Sequence, residues 1–379
     1  MRRLTPRTAA LPATALLGAT LLLAGCTATT VATPTETTTP ATVTSVDTSA
    51  SSGDIDWSAL PTTEVTLTDE GITITDAGTY VLGGSTTGSV VVDSVGNVRL
   101  ILNGVTIDSA SGAAIEIVSA DNAVVELADG TTNSLSDAAT RTDDSVDGAL
   151  YSADDLFVTG TGSLTVTAAY ADGIVGHDDV VIESGIVTVT SVDDGIRGKD
   201  SLTIIGGTLA VTSGGDALKS SNDVDAGEGL LVVSGGDITI TAGDDGITSE
   251  QQLAVSGGTI TIAQSVEGIA APVVAISGGD ISINASDDGV NAAASAIITS
   301  GIAITISGGT LDIVMGAGDT DAIDSNGDLT IAGGAITITA QSATDFDGTG
   351  TFTGGSLTVN GEAVTELTTQ MMGGGGPHG

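Results

Sequence analysis

Apolar and polar residues alternate along this chain in short runs. Asp237-Ile238-Thr239-Ile240-Thr241, Thr259-Ile260-Thr261-Ile262-Ala263 and Ala335-Ile336-Thr337-Ile338-Thr339 set an Ile at every second position with polar or small residues between. Successive side chains of an extended strand point to opposite faces, so each run has one apolar and one polar face. The runs follow glycine marks at Ser184-Gly185, Gly206-Gly207, Gly235-Gly236, Gly257-Gly258, Gly278-Gly279, Gly308-Gly309, Gly333-Gly334 and Gly354-Gly355, spaced 21–30 residues apart. A second apolar run precedes each mark, as in Leu202-Thr203-Ile204-Ile205, Leu230-Leu231-Val232-Val233 and Leu329-Thr330-Ile331. The unit is therefore strand, glycine turn, strand, acidic turn. One unit cannot cover its own apolar face, so copies must stack to make a core.

The fold expected is all-β: a right-handed parallel β-helix, a solenoid with coils of about 21–22 residues and occasional corner-loop insertions. A fixed period disfavours a β-sandwich, and the glycine-rich nonapeptides of a calcium β-roll are missing. Insertions are expected near 221–228, 294–302 and 316–320. Earlier runs such as Val98-Arg99-Leu100-Ile101-Leu102 and Val124-Val125-Glu126-Leu127 continue the pattern less regularly. The segment 131–148, rich in Asp, Ser and Thr, interrupts them and reads as a binding loop or a mobile one.

The acidic turn repeats as closely as the strands. Asp172, Asp194, Asp216, Asp245, Glu267, Asp288 and Asp321 occupy equivalent places, mostly before Gly-Ile or Gly-Val. Neighbouring strands lie about 4.8 Å apart, so stacked carboxylates raise one another's pKa and oppose folding unless neutralised. Oxygen-only ligands in such turns favour calcium, with Asp193, Asp244, Asp287 and Asp319 as further ligands. The other reading is a set of Asx-turns capping local backbone N–H groups. A second polar row, Asp178, Asp200, Asn222 and Gln251, falls five residues after each turn glycine or its replacement.

The N-terminus places the protein. Arg2, Arg3 and Arg7 precede an apolar run ending in Leu23-Ala24-Gly25-Cys26, which is similar to a bacterial lipobox. Cys26 is the only cysteine, so it is the expected lipidation site and no disulfide can form. A plain secretory cleavage site is the alternative. The expected organisation is a lipoprotein signal peptide at 1–25, a Thr-rich tether at 26–53, the β-helix at 54–370 and a Gly-rich tail at 371–379. The domain would then lie outside the cytoplasm, held to the cell membrane only by its N-terminal lipid. Removing the leader leaves five basic residues against 48 acidic ones, a charge of −43. Such a surface excludes nucleic acid as a partner.

The few remaining bases cluster. Arg197 and Lys219 are 22 residues apart, as are His177 and Lys199, so each pair should stack. This patch could grip a uronic acid carboxylate or merely compensate the neighbouring aspartates. Tyr151 and Tyr170 are the best-placed aromatics for a sugar ring. A polysaccharide lyase would draft Arg197, Lys199 or Lys219, with calcium polarising the uronate. No nucleophile elbow, phosphate loop or zinc-type histidine cluster is present. Binding is favoured over catalysis, and a structural or adhesive role stays open.

Gly78-Thr79-Tyr80-Val81-Leu82, Leu100-Ile101-Leu102-Asn103-Gly104-Val105, Asp193-Asp194-Gly195-Ile196-Arg197-Gly198-Lys199-Asp200 and Gly215-Asp216-Ala217-Leu218-Lys219-Ser220 carry a further likeness. Over about 62 to the end, the chain resembles a family of bacterial carbohydrate-binding surface proteins. The resemblance implies a pectate-lyase-like right-handed β-helix, calcium, and binding of cellulose or pectic uronic-acid polymers without established catalysis. It carries over no catalytic residue.

Overall fold

A computed structural model describes residues 51–368, apart from 142 and 317–319. The leader, Cys26, most of the expected tether, Asp319 and the Gly-rich tail lie outside the described residues. The described part is a right-handed parallel β-helix. Its only helical elements are two 3-10 turns, Ser52–Asp54 and Trp57–Ala59.

Each regular coil has three strands rather than the two expected. The first face holds the strands before the glycine turn, such as Ser201–Ile204, Leu230–Val233 and Gln252–Val255. The second holds the alternating strands after it, such as Thr208–Thr212 and Asp237–Thr241. The third follows the acidic turn and is a separate 12-stranded parallel sheet, running from Ile72–Ile74 to Ser342–Phe346. Many of its strands span only three residues, like Ile196–Gly198 and Leu218–Ser220. Three residues are too few to display alternation, which is why the pattern did not separate them from the turn.

Stacking in register builds the core. Ile238 lies between Leu209 and Ile260, and Ile240 between Val211 and Ile262. These side chains are 0–2% exposed, so columns of like aliphatic groups fill the interior. The outward partners between them, such as Thr239 and Thr261, stay exposed. The glycine turns need their second residue for a conformational reason. Gly207, Gly236, Gly258 and Gly279 all have φ between 90° and 96°, where a Cβ is strained.

Two features complete this unit. Ile55 and Trp57 pack across Val124, Phe157 and Val181 on the outside of the first face. The Ser51 hydroxyl and the Ser52 amide each donate to Glu183 at 2.8 Å. At the other end, Glu362–Val364 turns back antiparallel on Ser356–Val359 and covers an edge of the sheet. Corner loops occur after Ser220 and Ala292, as the longer intervals foretold.

Gly258→Ala should lower stability by about 2 kcal/mol, because its backbone sits in the left-handed region and the new Cβ meets the carbonyls of Gly235 and Gly236 at 3.0 Å. Chemical denaturation of the variant against the parent checks this. An unchanged midpoint would mean that the turn tolerates a side chain.

Candidate functional site

The acidic turns form a ladder in which most carboxylates cap the next coil. The Asp194 amide donates to Asp172 Oδ1 at 3.0 Å, and the Asp216 amide to Asp194 Oδ1 at 3.0 Å. Asp245 donates to Asp216 at 2.9 Å and Glu267 to Asp245 at 3.2 Å. Beyond a break the pattern resumes, with the Asp321 amide on Asp288 Oδ1 at 3.1 Å. At the break Glu267, one methylene longer, instead accepts from Asn291 Nδ2 at 2.7 Å. The aspartates do cap backbone N–H groups, but those of the next coil rather than of their own turn. One oxygen of most ladder carboxylates is thereby committed.

The charges are answered unevenly along the stack. Arg197 donates to Asp172 through Nε at 2.9 Å and Nη2 at 2.7 Å, and also reaches Asp147. Lys219 Nζ lies 2.8 Å from Asp216 and 3.1 Å from Asp194. Local bases therefore neutralise the front of the ladder, which the low count of Lys and Arg alone did not suggest. Arg197 and Lys219 are direct register partners, as their spacing predicted. Even so, burial lifts Asp172 to about 6 against the pull of Arg197. Past Asp245 no base appears among the described ion pairs. There burial, then repulsion from Glu267 and Asp216, pushes Asp245 up to about 7. Burial also raises Asp288 to about 7 and Asp324 to about 6, with neighbouring carboxylates adding to both.

The front of the ladder borders a cleft of about 600 Å³. Tyr170, Asp172, Asp193, Asp194, Arg197 and Lys219 line it together with Asp144 and Asp147. The last two belong to the interrupting segment, which is partly strand: Thr132–Ser136 lies on the second face and Gly148–Ser152 on the third. Between them the loop is clamped. Arg141 pairs with Asp137, and both side chains are almost fully buried. Its guanidinium sits 4.8 Å from the centroid of the Tyr170 ring, while Asp137 Oδ1 accepts from the Ala169 amide at 2.6 Å.

The expected basic and aromatic patch is thus divided. Tyr170, Arg197 and Lys219 meet in the cleft. Tyr151 is 8% exposed, enclosed by Ala113, Val175 and Val146, and its ring lies 5.3 Å from that of His177. Burial lowers the His177 pKa and favours the neutral imidazole. Lys199 points to Asp200 at 3.7 Å. The second polar row is a wiring harness for the 221–229 loop: Asn222 donates to Asp200 at 2.6 Å, and Gln251 to the Asp225 carbonyl at 2.6 Å.

Two groups of three carboxylates bring ligand oxygens within 4.8 Å of one another: Asp216, Asp244 and Asp245, and Asp155, Asp178 and Asp179. Each set could hold a divalent cation, and the all-oxygen donors suit calcium. A recess of about 160 Å³ beside the first group is lined by Asp245, Glu267 and Asn291, and Asn291 Oδ1 is buried there without a hydrogen-bond partner. An acceptor left over among carboxylates fits a cation better than it fits water alone. Asp287 and Asp288 lie one turn further along; Asp319 is outside the described residues. Asp178 belongs to the second polar row, whereas Asp155 and Asp179, which precede the register partners Leu156 and Val180, were not among the expected ligands.

Comparison with known proteins agrees with this architecture. A family described as "Carbohydrate-binding domain-containing protein" matches residues 68–317. The chain belongs to that family. A relative of the same description from Acetivibrio thermocellus is 32% identical over 133 residues, covering 33% of this chain and 46% of the relative. The chain therefore spans less than half the length of that relative. A solved structure described as the polysaccharide lyase-like protein from C. thermocellum, gadolinium derivative, superposes with a TM-score of 0.50 at 31% identity. The match covers 57% of this chain and 85% of that one.

The rear of the ladder makes a prediction about pH. The folded pKa of Asp245 lies above its ordinary value of 3.8, so the fold takes up a proton that the unfolded chain has already lost. Stability from that proton is present at low pH and is lost as pH rises toward and through about 7. Asp245→Asn keeps the Oδ1 acceptor for Glu267 and removes the charge. In chelator at pH 8 it should raise the melting temperature by about 3 °C, with little effect at pH 4. A lower melting temperature at pH 8 would contradict the assignment.

Proposed function

We propose that the cleft beside the front of the ladder holds a polysaccharide strand, on a scaffold whose rear carboxylates are completed by calcium. The observation that carries this reading is the meeting of Tyr170, Arg197, Lys219 and several carboxylates in one open cleft, on a chain of the carbohydrate-binding family. The aromatic ring offers an apolar face to a sugar and the charged groups offer hydrogen bonds to hydroxyls. When bound, calcium would supply positive charge to Asp216, Asp244 and Asp245, with Asn291 and Glu267 at the adjoining recess. The candidate ligands are cellulose and pectic uronic-acid polymers. Export and lipid anchoring rest on the sequence alone: Arg2, Arg3 and Arg7, then the apolar run ending in Leu23-Ala24-Gly25-Cys26.

A second reading is elimination on a uronic-acid polymer. The likeness to a polysaccharide lyase-like structure speaks for it more directly than the comparisons speak for calcium-dependent binding. The local geometry weighs on the other side. A base for proton abstraction must be free and unprotonated, yet Arg197 and Lys219 are held by carboxylates. Burial draws the Lys219 pKa down, but its contacts with Asp216 and Asp194 outweigh that and raise it.

Calorimetric titration of the chain with cello-oligosaccharides and oligogalacturonate, in calcium and in chelator, separates these readings. Binding with flat ultraviolet absorbance is expected, and Tyr170→Ala should weaken it about tenfold, about 1.4 kcal/mol. Rising absorbance from unsaturated product would establish the lyase instead. Separately, Cys26→Ser should move the protein from the membrane fraction to the medium; unchanged membrane retention would remove the lipid anchor.

A further inference from the structure

The charge of the cleft narrows the class of sugar it takes, given the cleft reading above. Five carboxylates line it, from Asp144, Asp147, Asp172, Asp193 and Asp194, against two cations. Neither cation is spare. Arg197 is shared by Asp147, Asp172 and Asp194, and Lys219 by Asp194 and Asp216. A uronate carboxylate entering the cleft would have to displace an aspartate from one of these contacts and then meet the remaining carboxylates at close range.

Two of the carboxylates stand apart. Asp144, on the clamped loop, and Asp193, on the ladder turn, are both exposed. No ion pair among the described residues involves either one. They present unanswered negative charge to whatever occupies the cleft. The lining groups that hold the local fold are different ones: Asp147, Asp172 and Asp194, through Arg197, Lys219 and the next coil's amide.

We infer that the preferred ligand is a polysaccharide bearing free primary amines on its sugar rings, with the ammonium groups received by Asp144 and Asp193 and a ring laid against Tyr170. The recognition is by charge-assisted hydrogen bonds at the two free carboxylates. It follows that acetylating the amines weakens binding, as does raising the salt, which screens exposed pairs.

The test compares a fully de-acetylated glucosamine oligomer, its N-acetylated counterpart and oligogalacturonate of equal length, at a pH where the amines are protonated. The free-amine oligomer should bind about tenfold more tightly than the acetylated one, and oligogalacturonate most weakly. Asp144→Asn with Asp193→Asn should remove that preference, while Asp237→Asn with Asp280→Asn, at exposed positions on the second face, should leave it intact. Equal binding of amine and acetylated oligomers overturns the inference and leaves the cleft reading standing. So does equal loss in both double variants, or equally tight binding of oligolysine, since either shows diffuse attraction to an acidic chain. If none of the sugars binds, the cleft reading fails and this inference fails with it.

Discussion

The contact on which this solenoid depends is a carboxylate of one coil accepting the backbone N–H of the same residue in the next. Parallel strands at about 4.8 Å bring like side chains into register whether or not they attract. On the first and second faces this favours folding, since columns of Ile, Leu and Val exclude water together. At the corner between the second and third faces it stacks negative charge on negative charge. The Oδ1-to-amide bond gives that corner its hydrogen bonding and fixes the path of the short third-face strands, while the second oxygen and the charge remain to be satisfied.

How that charge is met divides the stack. In front, Arg197 and Lys219 lie in register and reach down to carboxylates of their own and preceding coils. Behind Asp245 there is Thr248 and Ala270 in the same outward row, where the bases stood. The rear carboxylates keep their protons to unusually high pH, and the recess beside Asn291 is where a hard cation fits. The cleft lies at the front, where the clamped loop adds Asp144 and Asp147 to a corner already neutralised by its own bases. A ligand there meets bases that are occupied and two carboxylates that are not.

Much of this was legible in the residues, in proportion to how strictly each feature repeats. Ile238-Thr239-Ile240 and its relatives disclosed two faces, and the 22-residue spacing of Arg197 and Lys219 disclosed their register. The third face escaped notice because strands such as Leu218–Ser220 are shorter than one full alternation. The spacing located the ladder aspartates but not their partners, since register alone does not say which oxygen an amide from the next coil will take. Arg141 and Asp137 gave no signal: they occur once, and their pairing depends on a loop folding back over Tyr170. Tyr151 and His177 were each expected at the ligand patch, but their rings pack against one another and burial behind Val146 keeps the Tyr151 ring from the cleft.

Residue-resolved hydrogen exchange of the ladder amides at neutral pH tests the division of the stack most directly. In chelator the amides of Asp194 and Asp216 should exchange slowly, and those of Glu267 and Asp321 markedly faster. Calcium should slow the second pair and leave the first unchanged. Uniform exchange along the ladder, indifferent to calcium, would contradict the account.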